Sequence, residues 1–437
     1  MSPEDDPQID APAQAEGRGF ARWLVRGAFL LAAGAALWPG WDRPALAALV
    51  PAASPLVAFS ALAATWTLEA VGWLGLAVAA IALVRRRWFC RWVCPTGLCA
   101  DAAGRLGRRA GLRCPRLPVL GQWIALVTLA GACLGYPLLA WLDPLAMFAG
   151  LFAPFGPRLG PVVWWSAVGV PAVLAISLWM PGAWCGRVCP LGGMQDLLAG
   201  VTGAVRRRLA GVKDRAPAEP DGWHALQGRG SDLPVTTPFA SLRACHSPGW
   251  RMARRAVLGA AIGGVWAAMV RAARAAAPRP LRPPGARPEP EFTGLCIRCG
   301  NCIRVCPTAI LAPDPGGHGL AGLLAPVLRF ESDYCREDCT RCTAACPSGA
   351  LVRLTADSKR LGAIGLPKVD MGVCLLGDDR ECFVCRNSCP YEAIRLVFSE
   401  VEYTLTPQVD AGKCPGCGAC EVACPTTPVK AIVVAPQ

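Results

Sequence analysis

Cys296-Ile-Arg-Cys299-Gly-Asn-Cys302-Ile-Arg-Val-Cys306-Pro307 is the first of four cysteine phrases, each closed by Cys-Pro. The others are Cys335, Cys339, Cys342, Cys346 before Pro347; Cys374, Cys382, Cys385, Cys389 before Pro390; and Cys414, Cys417, Cys420, Cys424 before Pro425. They take sixteen of the chain's 24 cysteines. In the C-x2-C-x2-C-x3-C-P pattern three thiolates hold one cubane cluster, and the fourth reaches the cluster of a partner run. Four runs therefore predict two intertwined pairs and four 4Fe-4S clusters. Three thiolates two residues apart must wrap a cluster corner in a tight loop, and the closing proline stops the fourth from continuing a helix. The second run opens with C-x3-C and the third with C-x7-C, so a longer loop brings the first ligand back. Zinc sites use CxxC pairs rather than triplets closed by Cys-Pro, which sets zinc and disulfide frameworks aside.

Around this core the composition is that of a membrane protein. Hydrophobic residues make up 53% of 437, and the mean hydropathy is +0.36, too apolar for an ordinary soluble chain. Residues 278–437 carry 17 basic and 17 acidic residues, so the whole formal charge of +13 belongs to residues 1–277. There the arginines bracket apolar stretches and read as topology markers rather than a nucleic-acid patch.

Residues 1–17 are acidic and expected to be disordered. Spans are expected at about 20–38, 64–84, 119–142 and 161–183, with a re-entrant or interfacial piece before the second, broken near Pro51 and Pro55. The segment 85–116 holds nine arginines against Asp101 alone, which makes it cytoplasmic by the positive-inside rule. The expected organisation is a membrane domain over 18–200, a Gly/Pro/Ser-rich cytoplasmic linker over 201–252, and a fifth apolar helix over 253–277 behind Arg254-Arg255. A polyferredoxin domain follows over 278–437. The fifth segment reads either as a twin-arginine-like export signal or as an ordinary span, and both place the last domain outside. An interfacial helix would instead leave it inside.

The membrane half repeats itself. Trp88-Phe-Cys90-Arg-Trp-Val-Cys94-Pro95 with Asp101 aligns with Trp184-Cys185-Gly-Arg-Val-Cys189-Pro190 with Asp196, at an offset of 95 residues. Two cysteines four apart share one side of a helix turn. Paired across a pseudo-twofold axis, Cys90, Cys94, Cys185 and Cys189 offer four thiolates at the cytoplasmic membrane surface. An iron-sulfur cluster, a redox-active thiol pair, a soft metal such as copper, and a purely structural role all fit that donor set. Cys99, Cys114, Cys133 and Cys245 have no repeat partner and read as incidental.

The two C-x3-C-P motifs in a four-span unit resemble the membrane ferredoxin proteins of the NapH and MauN type. The part from about Arg254 onward, with four cluster runs, is similar to the NapG and MauM type. The resemblance implies a natural fusion of the two: a polytopic α-helical membrane domain of about four spans plus a tethering helix, then an α+β bacterial-ferredoxin-like domain. It further implies electron transfer from a quinol to an extracytoplasmic acceptor, such as a c-type cytochrome or a periplasmic reductase, in the cytoplasmic (inner) membrane of a bacterium. Substrate chemistry would reside in the partner. One departure stands out: residues 190–252 carry only Cys245, where the membrane type has further ferredoxin runs. Analogy with four-cluster reductase subunits favours nested pairing, first run with fourth and second with third; the spacing equally admits first with second.

The residue inventory narrows the chemistry. No CxxCH occurs, and the three histidines, His224, His246 and His318, lie outside the expected spans. No GxGxxG at a strand-to-helix junction and no P-loop supports nucleotide chemistry. Glu69, the acid within an expected span, suits either proton handling beside a quinol or a place near the outer interface. The rival function is a maturation factor that uses the C-x3-C-P pair to deliver metal or reducing equivalents to a periplasmic metalloenzyme.

Overall fold

A computed structural model describes residues 11–40, 43–112, 118–137, 139–157, 160–209, 252–275, 279–378, 380–400 and 403–436. Cys114, Cys245, His224, His246 and most of the expected linker lie outside them.

The N-terminal half is helical and folds as two copies of one plan. In the first, α1 (Ala11–Leu37) is followed by α2 (Pro44–Ala52), α3 (Pro55–Thr65), α4 (Trp73–Val84), α5 (Trp88–Trp92) and α6 (Pro95–Arg109). In the second, α7 (Leu120–Cys133) leads to α8 (Pro144–Gly150), α9 (Pro161–Trp164) and α10 (Gly169–Trp179). A π-helical turn over Trp184–Val188 then precedes α11 (Pro190–Leu209). Shifting by 95 residues lays α7 on the end of α1, α10 on α4 and α11 on α6, so the repeat read in the motifs extends to the helices around them.

Prolines place the breaks. Pro55 has no amide to donate and pushes Ser54 to an extended backbone, φ −78° and ψ 120°. There α2 and α3 meet at 98°, a sharp break next to Pro51 and Pro55. Asp143 caps α8 by accepting from the amides of Leu145 at 2.9 Å and Ala146 at 3.3 Å. Its other oxygen takes the Ser54 hydroxyl at 2.5 Å, which ties the two copies together.

Among the described residues one helix, Phe20–Leu37, is long and apolar enough to cross a membrane; counting each bent pair as one span gives up to three. Ala70–Val84 and Leu120–Cys133 are apolar but shorter than the roughly 20 residues a full span needs. The last expected span is a bent pair, Pro161–Ala167 with Gly169–Trp179 at 45°, while α2–α3 and α8 fall outside the expected spans. In addition, α11 runs on to Leu209, past the expected domain boundary at residue 200.

Helix α12 (Met252–Ala275) lies against α7. A Cβ on Gly263 would stand 2.8 Å from the backbone of Val127, and Ala267 one turn on is fully buried. Small residues four apart let two apolar helices approach to backbone contact.

The C-terminal half carries three two-stranded antiparallel sheets: β1 (Leu311–Pro313) with β2 (Pro326–Leu328), β3 (Leu366–Val369) with β6 (Ile432–Ala435), and β4 (Ile394–Ser399) with β5 (Thr404–Val409). One-turn helices follow the loops of the four runs, at Asn301–Arg304, Arg341–Ala344, Val384–Asn387 and Ala419–Ala423. Phe292, Leu295, Ile303, Leu311 and Leu351 form a core with the thiols of the first two runs.

The first run is built onto the helical half. Ile297 and Cys299 share a buried cluster with Leu37, Val57, Ala140, Phe148 and Val170. Asn301 Nδ2 donates to the Ala47 carbonyl at 2.8 Å. Glu69 Oε2 meets Arg353 Nε at 3.6 Å, so this acid lies at the contact between the halves.

Candidate functional site

The sixteen thiols of the runs gather in fours. Cys296, Cys299, Cys302 and Cys346 line one cavity, here site A. Cys306, Cys335, Cys339 and Cys342 line a second, site B. Cys374, Cys382, Cys385 and Cys424 line another, site D, while Cys389 acts electrostatically on Cys414, Cys417 and Cys420, which together make site C. In each, three cysteines of one run meet the fourth of its sequence neighbour. The nested pairing is thereby corrected: first pairs with second and third with fourth. The cause is local, because the one-turn helices Asn301–Arg304 and Arg341–Ala344 pack together, as do Val384–Asn387 and Ala419–Ala423.

The loops are shaped for anions. Between the thiols of the fourth run Gly416 and Gly418 take positive φ, 76° and 84°, and successive amides in such a turn form a concave nest. Donors reach the sulfurs directly: Leu351 N to Cys346 Sγ at 3.4 Å and Ala393 N to Cys389 Sγ at 3.4 Å. Hydroxyls two residues past the fourth cysteine share hydrogen bonds with it, Thr426 Oγ1 3.2 Å from Cys424 Sγ and Thr308 Oγ1 3.6 Å from Cys306 Sγ. Thr308, Ser348 and Thr426 were missed in the sequence, although their recurrence after Cys-Pro is a legible signal. Burial pushes the thiols of Cys299 and Cys417 up to about 12. Cys424 goes the other way: burial raises it, but hydrogen bonds from Thr426, Ala431 and Ile432 outweigh that and hold it low.

Thiols so buried become thiolates only when a bound cation carries their charge. Among the described residues no three His, Cys, Asp or Glu side chains are drawn together tightly enough for a single ion. The thiols line open cavities instead, with sulfur-directed amides and hydroxyls around them, which is a donor set that fits a polynuclear cluster.

Cys90, Cys94, Cys185 and Cys189 are also brought together, with Phe89, Leu145, Trp184 and Leu191 around them. Cys94 and Cys189 are only 4% and 6% exposed, in a buried cluster with Leu145 of α8 and Val173 of α10. The two motifs are equivalent in detail. Each second cysteine precedes a proline that opens a helix, and Cys94 Sγ accepts from Gly97 N at 3.3 Å as Cys189 Sγ does from Gly192 N at 3.5 Å. Gln195 Nε2 donates to Cys90 Sγ at 3.2 Å. Arg87 grips Asp196 at 2.5 Å and also reaches the Cys185 carbonyl at 3.2 Å. Helix N-termini, an amide and a guanidinium around four sulfurs suit an anionic thiolate centre. Gln195 was not foreseen; its counterpart in the first copy is Ala100, so the repeat gave no hint.

Helix α8 joins the two kinds of site. Leu145 packs with Cys94 and Cys189, Phe148 and Ala149 with Cys299, and Met147 touches both clusters. Its seven residues span about 10 Å.

A family model described as a 4Fe-4S dicluster domain matches residues 295–350 and 380–427. A second, described as a 4Fe-4S binding domain, matches residues 65–113 and 162–213, one copy over each C-x3-C-P motif. The methylamine utilization ferredoxin-type protein MauM of Methylophilus methylotrophus is 41% identical over 162 residues, 33% of this chain and 66% of that protein. MauM of Methylobacillus flagellatus is 36% identical over 187 residues, 39% of this chain and 73% of its own length. The ferredoxin-type protein NapG of Escherichia coli is 37% identical over 176 residues, 38% of this chain and 74% of its own. No solved structure matches the chain.

Proposed function

The chain belongs to the family of ferredoxin-type proteins that includes MauM and NapG, and we propose that it is a membrane-bound relay in which five iron-sulfur centres form one wire. Sites A to D hold four 4Fe-4S clusters on the sixteen run cysteines. Cys90, Cys94, Cys185 and Cys189 hold a fifth. Bound clusters supply one-electron storage, and the chain's own residues fix their order, exclude water and donate hydrogen bonds to their sulfurs.

The observation that carries this reading is α8, whose Leu145 packs with the C-x3-C-P thiols and whose Phe148 packs with Cys299 of the first ferredoxin site, with Met147 against both clusters. It answers the missing cytoplasmic ferredoxin runs, since a direct inner connection makes them unnecessary. From site A the order is B, C, D, with the Cys335 amide bonded to the Cys417 carbonyl at the junction of the two pairs. The third run, at the far end, is the least buried, and there Phe383 and Val384 are exposed.

In this reading residues 18–209 are the membrane domain of a NapH- or MauN-like part and α12 is the tether. The polyferredoxin lies on the periplasmic side, with site A seated on the membrane domain. Quinol is the donor, and a c-type cytochrome or periplasmic reductase takes the electrons from site D; catalysis resides in that partner. Iron and acid-labile sulfide analysis with redox-poised EPR on detergent-purified protein tests it. About 20 iron atoms per chain are expected, four for each of five clusters. A content near 16 would strike out the fifth centre, and one well below 16 the four-cluster domain.

A further inference from the structure

Arg304 lies two residues beyond Cys302, at the end of the one-turn helix Asn301–Arg304. It is 4% exposed. Its Nη2 donates to Asn301 Oδ1 at 3.0 Å, but Nη1 is buried with no hydrogen-bond partner. No carboxylate among the described residues pairs with it. Other buried cations of this half are satisfied: Arg282 by Glu289 at 2.6 Å, and Lys359 by the carbonyls of Arg336 and Cys339.

A desolvated guanidinium with a free donor is unfavourable unless an anion shares its cavity. The groups that act on it are Cys299 and Cys302, two of the four thiols of site A. The corresponding positions of the other runs are Ala344, Asn387 and Val422, so this arrangement is confined to site A, whose Cys299 packs on the helical half. The contact itself holds the cation in place. Asn301, which orients Arg304, bonds through Nδ2 to the Ala47 carbonyl of α2 at 2.8 Å, and a Cβ on Gly156 would stand 2.8 Å from Arg304 Cα.

We propose that Arg304 is the countercharge that sets the electron affinity of site A, held in register by Asn301 and the Ala47 carbonyl of the helical half. The proposal rests on the reading that site A holds a cluster. A thiolate-ligated cluster is anionic and gains one further negative charge on reduction, so a fixed desolvated cation favours the reduced form. Arg304 is a positioning charge and touches no substrate.

Redox-poised EPR on the detergent-purified full-length chain tests this, with iron content measured on each sample. Cys299→Ser marks which potential belongs to site A. R304Q is expected to lower that potential, making the site about tenfold harder to reduce, which is about 59 mV for one electron. The other potentials and the iron content stay as in the wild type. R304K, which keeps the charge, restores most of the shift, and N301A gives a smaller shift of the same sign. If R304Q leaves the potential in place with iron full, or R304Q and R304K move it alike, the charge does not set it. Should R304Q fail to load site A, an unmoved potential in N301A overturns the proposal. If Cys299→Ser alters no signal, the cluster assignment itself fails.

Discussion

The backbone amide of Cys335 donates to the carbonyl of Cys417 across 2.9 Å, joining a cysteine of site B to a cysteine of site C. It is the point at which two sequentially paired ferredoxin units become one file of sites. Tyr391, packed against the core of the first pair, feels both thiols, and burial first and their charge second push its phenol well up.

Sequential pairing makes a countable prediction. Cys299 and Cys346 share site A, whereas Cys424 belongs to site D. Removing two ligands of one site costs one cluster, so C299A/C346A should lose about four iron atoms, like either single variant, and C299A/C424A about eight. Iron analysis of the purified variants decides it. About eight lost from C299A/C346A would place Cys346 in another site.

Gly418 tests the loop that wraps site C. Its φ is +84°, and a Cβ there would stand 2.3 Å from the Phe330 ring. Phe330 is a buried member of the first pair's core and has no room to retreat. Gly418→Ala should therefore lower stability by about 2–3 kcal/mol, from backbone strain plus overpacking. Thermal unfolding of the loaded protein measures it; an unchanged midpoint would show that the loop relaxes freely.

How much of this was legible follows from where each constraint lies. The sixteen run cysteines and the 95-residue repeat are local spacings, and both reappear in the structure, as groups of thiols and as helices at matching offsets. The choice of partner run was not legible, because it depends on which one-turn helices pack side by side, here Asn301–Arg304 on Arg341–Ala344. Nor was α8. Its seven residues are too few for an amphipathic pattern to declare itself, and its role comes from Leu145 and Phe148 facing two different clusters. Glu69 read as an acid within a span, but the chain turns there and hands it to Arg353. Nothing in the sequence singles out Arg304; the helical half packs upon it, with Gly156 against its backbone.

The raised thiols imply an alkaline weakness of the iron-free protein. Burial lifts Cys299 and Cys417 from 9.0 to about 12, so the folded iron-free state keeps their protons after the unfolded state has begun to lose them. Bound protons then favour folding fully below the unfolded value, and that contribution is lost as pH rises from about 9 to about 12. In the loaded protein the thiolates are already deprotonated on iron, and this loss is absent. Denaturant unfolding of chelated and loaded samples at about pH 8 and about pH 11 should show a steep alkaline loss in the chelated sample alone. Parallel losses in both would mean that these thiols do not differ between the folded and unfolded states.

The C-x3-C-P site separates a relay from a maturation factor. Cys94 and Cys189 each cap a helix and are buried beneath Leu145, the first link of the α8 path. A relay needs these sulfurs at every turnover, whereas a maturation factor needs them only while its client is being assembled. Replacing both with serine should remove about four iron atoms, one cluster, and leave sites A to D loaded, because no ligand of those sites comes from α5, α6 or α11. Supplied with a fully cofactored periplasmic acceptor, the variant should reduce it from quinol at least about a hundredfold more slowly than the wild type, consistent with one missing centre in a single file. An acceptor isolated from cells carrying the variant should contain its full cofactor complement. If that acceptor instead lacks its cofactor while the variant's own electron flow is intact, the wire through α8 is not the function of this site.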